Sequence, residues 1–229
     1  MLSISATEEW RTSHPGAVIG LLELSGAGGV RSSPELEARK RELESDLRQR
    51  FQGFTRKDFL ALPILSAYDR YYNRFDKTYH VQLQLESIVL KGKSLPAVSP
   101  LVDTNFMAEM ETFVLSAGHD AAKLTEPVVM DVSHEGDSMT QMNGTPKIIR
   151  AGDMVMRDAG GLACSILYGQ DNRSPISPET SHVLYVAYAP PGVPAEAVEI
   201  HLRTIETNIR LFAKSAVLEQ LRLLTSDQG

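Results

Sequence analysis

His119 and Asp120 form the pair in this chain best suited to proton transfer, because an imidazole beside a carboxylate can act as acid, base or hydrogen-bond donor. They end the run SPLVDTNFMAEMETFVLSAGHD, whose early polar residues Asp103 and Asn105 sit in an otherwise apolar pattern, where polar side chains need partners. A second polar group, Asp171-Asn172-Arg173-Ser174, leads through Ser177 and Thr180 toward an apolar run; such loops at strand ends commonly hold ligands, and commonly serve only as turns and caps. Other candidates are weaker. Asp131, His134, Glu135 and Asp137 cluster in DVSHEGD but lack His-x-x-x-His or EF-hand spacing, so the segment reads as a connecting loop and no metal is expected. Cys164 lies inside an apolar run, where a buried inert thiol is the default. Ser165 lacks the glycines of a nucleophile elbow. The Gly26-Ala27-Gly28-Gly29 cluster lacks the spacing of a phosphate loop.

The elements that must position these groups are legible from periodicity. Ala17–Ser25 reads as a buried strand, and Ser33-Pro34-Glu35 opens a helix with Leu36, Leu43, Leu47 and Phe51 on one face. Tyr68–Tyr79 interleaves aromatics with Arg70, Arg74 and Lys77. That pattern suits either stacking on single-stranded nucleic acid or, the preferred reading, a short amphipathic helix with half-buried tyrosines whose hydroxyls point outward. His80–Gly92 continues as a helix. Ser99-Pro100 caps a further helix that runs to Ala117-Gly118 and leaves His119-Asp120 at its end. Strands follow at 127–132, 153–157, 162–168 and 182–189, with a turn at Asn143-Gly144, and residues from Pro194 to about Leu224 read as helix. Helices first and strands later give a mixed α/β (α+β) class, with helices around a mixed or antiparallel sheet.

Composition narrows the function classes. The 229 residues carry 42% hydrophobic and 23% charged residues, as in ordinary globular proteins. The lone cysteine excludes an internal disulfide framework or cysteine metal cluster and fits a reducing compartment. No run is apolar and long enough to span a bilayer, and the N-terminus lacks signal-peptide features, so a cytoplasmic location and no membrane partner are expected. The net charge of −6 argues against a dedicated nucleic-acid binder such as a DNA-binding protein. Yet residues 31–93 hold 13 Lys/Arg against 9 Asp/Glu, so a basic patch on an acidic protein remains open.

Several of these stretches together resemble the B3/B4 domain of phenylalanyl-tRNA synthetase beta chains, and stand-alone proteins of that type. SPLVDTNF resembles the family's Asn-Pro-x-Val-Asp-x-(Thr)-Asn, and HDAAKL its Asp-Leu-Asp-Lys-Leu. Tyr72–Lys77, Leu90-Lys91-Gly92, Gly152-Asp153, Arg157-Asp158, Asp171–Ser174, Glu179-Thr180 and Val183-Leu184 resemble further family elements in order. The resemblance is clearest over 60–190 and implies a single B3/B4-type domain over 1–229 with 193–225 as a C-terminal helical segment. It also implies aminoacyl-tRNA or tRNA binding, with hydrolysis of mischarged aminoacyl-tRNA in trans as the associated reaction and no cofactor. In that reading Asp103 and Asn105 brace the pocket, and His119 is the catalytic candidate. Asp158, Asp171, Arg173 and Thr180 face substrate, with His182 a further polar group, and Arg70, Arg74, Lys77, Lys91 and Lys93 contact phosphates. The sequence departs from the family where Ala117 stands at the editing-histidine position and Val186 at that of the tyrosine-recognising glutamate, so tyrosine specificity does not carry over. The alternative is a non-catalytic module for amino acids or other small molecules that keeps the pocket and not the tRNA.

Overall fold

A computed structural model of the chain describes residues 1–227. The elements run β1 Ile4–Ala6, α1 Glu8–Ser13, β2 Val18–Ser25, α2 Pro34–Arg50, α3 Arg56–Leu60, α4 Pro63–Asn73, α5 His80–Val89 and α6 Pro100–Thr112. They continue with β3 Ser116–Asp120, a 3-10 turn at Ala121–Lys123, β4 Val128–Val132, β5 Ser138–Thr140, β6 Pro146–Ile148, β7 Met154–Asp158, β8 Gly161–Ser165, β9 Gly169–Gln170, β10 Val183–Ala189, α7 Ala195–Arg210 and β11 Val217–Thr225. One sheet has the order β11-β2-β10-β3, a second β1-β4-β7-β8-β9, and β5-β6 form a separate hairpin. Pairing is antiparallel except for β1 beside β4.

The first sheet is built on β10, whose seven residues are all buried between β2 and β3. Burial on both faces explains its unbroken apolar run. Helix α7 covers this sheet and packs on α6; Gly20 of β2 lets it approach, because a Cβ there would stand 2.5 Å from Val198 Cγ1.

Helix α4 ties the two sheets together. Tyr68 Oη donates to Tyr188 O (2.7 Å) and accepts from Leu115 N, while Tyr71 Oη donates to Asp153 Oδ1 (2.7 Å) and accepts from Met154 N. Tyr72 Oη donates to Ile166 O (2.6 Å), and Tyr79 Oη to Phe113 O (3.0 Å). The tyrosines are therefore fully buried with hydroxyls inward, not half-buried with hydroxyls outward. The interior offers them carbonyls and a carboxylate, so burial leaves no polar group unpaired.

Two further expectations are corrected. The helix from Ser99 stops at Thr112, because Phe113 takes a left-handed conformation (φ 65°) and the chain turns into β3. Strained backbone at a bulky residue persists only where packing holds it; here the Phe113 ring meets Phe51 and its carbonyl takes the Tyr79 hydroxyl. His119 and Asp120 accordingly lie in a strand rather than at a helix end. The C-terminal segment is helical only to Arg210, and residues 217–225 form the edge strand β11.

Candidate functional site

β3 is the edge strand of its sheet, and the space beyond it, bounded by α6 and by β8-β9, is a cavity of ≈ 400 Å³. That volume lies within the usual range of small-ligand pockets. Val98, Val102 and Phe106 form one wall, Leu115 and Ile176 another, and Ile166 and Met142 complete the apolar lining. Val98 and Met142 are 67% and 61% exposed, which puts apolar surface at the mouth. A wider cleft of ≈ 530 Å³ beside α7 holds mostly charged groups, several already in ion pairs such as Arg39–Glu111 at 2.9 Å.

Polar groups gather on the α6 side of the cavity. Asn105 Nδ2 donates to Glu109 Oε1 (3.2 Å) and Ser116 O (3.2 Å), and its Oδ1 accepts from Ser116 Oγ (2.7 Å). Ser116 N also donates to Glu109 Oε1 (3.1 Å). The buried His201 ring backs this network, with Nε2 2.7 Å from Ser116 Oγ and Nδ1 2.7 Å from Thr112 Oγ1. Burial pushes Glu109 up to about 8 and His201 down to about 3, so both are neutral at pH 7. Cys164, on the opposite wall, is pushed up to about 12 by burial and is an inert thiol at neutral pH.

Of the site residues expected from the resemblance, Asn105 lines the cavity and the others lie outside its lining; Cys164, Ser165 and Ala117 also line it. His119 is fully buried next to it. Its Nδ1 stands 3.0 Å from Gln170 Nε2 and 2.8 Å from Ser174 Oγ; Gln170 Nε2, oriented by its bond to Ser174 O (2.8 Å), can only donate, so Nδ1 accepts and Nε2 carries the proton. Burial lowers its pKa to about 3, which keeps the ring neutral. Asp103 pairs with Lys40 (2.6 Å) and accepts from Val98 N (2.9 Å), bracing the segment that enters α6. Arg173 bridges Asp158 (Nη1–Oδ1 2.9 Å) and Asp171 (Nε–Oδ2 2.6 Å), and so clamps the β7-β8 turn to the 171–174 loop. Thr180 Oγ1 donates to Asp120 Oδ2 (2.8 Å), and His182 Nε2 pairs with the buried Glu23 (2.7 Å). Glu109 and Ser116 escaped the sequence reading; the signal available was an acidic residue, Glu109, one helical turn after Asn105 in an apolar face.

The basic candidates spread over two regions. Arg70 and Arg74 are exposed along α4, with the Arg74 guanidinium 5.5 Å from the Tyr71 and Phe75 ring centres. Lys77 reaches the Tyr168 ring (4.4 Å), where Lys147 joins it at 4.9 Å, beside Gly169 and Gln170 of the cavity wall. Lys91 and Lys93 are exposed after α5. The Asp131–Asp137 cluster holds Arg157 (2.8 and 2.5 Å), and among the described residues no acidic or histidine cluster has metal-site geometry. No helix among them is long and apolar enough to cross a membrane.

The stretch from α4 to α7 is a recognised unit: the family model of the B3/4 domain matches residues 66–214, and the chain belongs to that family. Its mixed α/β fold, with helices around mixed and antiparallel sheets, is of the B3/4 type. The match leaves out β2 and β11, half of the first sheet. Among solved structures, the chain is similar to an N-terminal fragment of the phenylalanyl-tRNA synthetase beta-subunit from Pyrococcus horikoshii. The identity is 8%, the TM-score is 0.47, and the match covers 97% of this chain and 50% of that one. The chain thus spans about half the length of that fragment. No curated protein matches.

Proposed function

We propose that the chain binds the aminoacyl end of charged tRNA and takes the amino-acid side chain into the cavity between α6, β3 and β8-β9. The observation that carries this reading is that the stretch bearing the synthetase-like signature, residues 99–124, contributes Val102, Asn105, Phe106, Glu109 and residues 115–118 to the lining of a half-open cavity with apolar sides and neutral polar groups. Membership of the B3/4 family supports a link to tRNA-related binding. Lys77 and Lys147, beside the cavity wall, are the phosphate contacts nearest the site, and Arg70, Arg74, Lys91 and Lys93 would extend the track.

Clearing of mischarged tRNA in trans is the reaction such binding would serve. His119 is the candidate general base, and it would act only after Gln170 and Ser174 release Nδ1. Asp158, Asp171 and Arg173 would hold the loop beside it, while Asp103, Thr180 and His182 would act through the backbone they anchor.

The test is deacylation of a panel of mischarged tRNAs by wild type, His119→Ala and Arg173→Ala, with tRNA binding measured at two salt concentrations. The expected result is binding that weakens as salt rises, with hydrolysis of at least one member lost in His119→Ala. The absence of both hydrolysis and salt-sensitive binding would overturn the proposal. The net charge of −6 favours a second reading, an amino-acid-binding module without tRNA. That version expects salt-insensitive binding of the amino-acid portion alone.

A further inference from the structure

Glu109 is a carboxyl group at the cavity with one oxygen fully engaged and the other free of protein partners among the described residues. Its Oε1 takes two N–H donors, from Asn105 Nδ2 and Ser116 N. The direction of these bonds is fixed. Asn105 Oδ1 accepts the Ser116 hydroxyl, so the Asn105 amide must turn its NH₂ toward Glu109. The Ser116 oxygen in turn takes the His201 Nε2 proton. Oε1 thus accepts twice, and on the acid that burial holds neutral the proton belongs on the free Oε2.

We infer that the cavity selects an uncharged amino-acid side chain carrying a hydrogen-bond acceptor, which meets Glu109 Oε2–H as donor. The inference rests on the aminoacyl-binding reading above and names the substrate class for it. An acid held neutral in an apolar setting is a stronger discriminator than an added methylene. An apolar ligand of the same shape leaves the buried hydroxyl unpaired, whereas an ionic ligand is desolvated without a counter-charge. Asn, Gln and Thr side chains qualify; Leu, Met and Val are their near-isosteric controls.

Other titratable groups around Glu109 do not mimic it. Tyr68, Tyr72 and Tyr79, from α4 and the start of α5, are raised above the ordinary phenol value, and Cys164 of β8 is raised to about 12. His201 of α7 titrates near 3, and desolvation lowers His80 at the cavity wall. Asp153, behind Ser165, is raised to about 7, so a Glu109 variant is needed to separate the two acids.

The experiment measures binding of 3′-aminoacylamino-3′-deoxyadenosines, stable amide mimics of the aminoacyl end, in the pairs Asn/Leu, Gln/Met and Thr/Val. Wild type at pH 7 is expected to prefer the acceptor-bearing member of at least one pair by roughly 10- to 100-fold. Glu109→Gln places an N–H donor where the acid O–H stood and should keep that preference. Glu109→Leu should abolish it. Raising the pH from 7 to 9 should erode the preference in wild type and leave it intact in Glu109→Gln. Binding of the analogues with no preference, a preference that survives Glu109→Leu, or equal loss in Glu109→Gln and Glu109→Leu would overturn the inference and leave aminoacyl binding standing. No binding of any of the six, with wild type folded by circular dichroism, would overturn the aminoacyl reading itself.

Discussion

Lys40 and Asp103 place opposite charges 2.6 Å apart with side chains only 5% exposed, at the entry to α6. Removing one partner of such a pair strands the other charge in the interior. Lys40→Met is therefore expected to lower unfolding free energy by ~3–5 kcal/mol in urea titrations. Arg173 is different because its side chain is 37% exposed, although Asp158 and Asp171 are almost fully buried. Solvent screens part of that clamp. Arg173→Ala should cost roughly 2 kcal/mol, so its deacylation assay needs a parallel urea titration. At this scale the sequence exposed types but not pairings. Asp103, Asp158, Asp171 and Thr180 were legible as polar residues in apolar surroundings. That each already has a protein partner depends on residues 15 to 63 positions away in most cases, such as Lys40 for Asp103.

Elements formed where local pattern and tertiary context agreed. β2, α2, α5, β4, β7, β10 and α7 follow from their periodicity. β3 did not, because Ser-Ala-Gly-His-Asp has little strand preference and owes its conformation to pairing with β10. β11 was hidden for another reason: the register shift between Leu218 and Gln220 breaks the period-2 alternation and leaves leucines at near-helical intervals. Gly28 shows how closely the loops are fitted. A Cβ at that position would stand 2.1 Å from the Thr180 carbonyl oxygen, a backbone atom that cannot rotate away. Gly28→Ala is expected to lower stability by ~1–3 kcal/mol, measured as a shift in urea midpoint, and to displace the 174–182 loop. An unchanged midpoint would show that the loop yields freely.

Over the whole molecule, buried ionisable groups of both kinds set the response to pH. Desolvation lowers His14 to about 4, His119 to about 3 and His201 to about 3; their folded forms bind fewer protons than the unfolded chain below pH 6.5. Stability from these three rises with pH up to that point. Desolvation raises Glu109 to about 8 and Asp153 to about 7, so their folded forms bind more protons than the unfolded chain between about 4 and 8, and stability from them falls as pH climbs. Three histidines outweigh two acids on the acid side, and the acids act alone above pH 6.5. The urea midpoint is expected to peak near pH 6.5 and to decline toward pH 9. Each unmatched proton contributes a slope of about 1.4 kcal/mol per pH unit. Glu109→Gln should flatten the alkaline limb; an unaltered limb would show that Glu109 titrates normally.

The sequence by itself determined the mixed α/β class, most helices, the buried strand β10 and the stretch 99–124 as the place to look, because these depend on apolar periodicity and caps written in neighbouring residues. Only the tertiary structure decided what that stretch does. It ends α6 at Phe113, turns the rest into an edge strand and draws Glu109, Asn105 and Ser116 around a cavity, while His119 is held beside it by Gln170 and Ser174. A hydrogen-bonded site depends on which distant groups arrive together and how far they exclude water. Neither the partner of a carboxyl group nor its protonation state is a property of its local sequence.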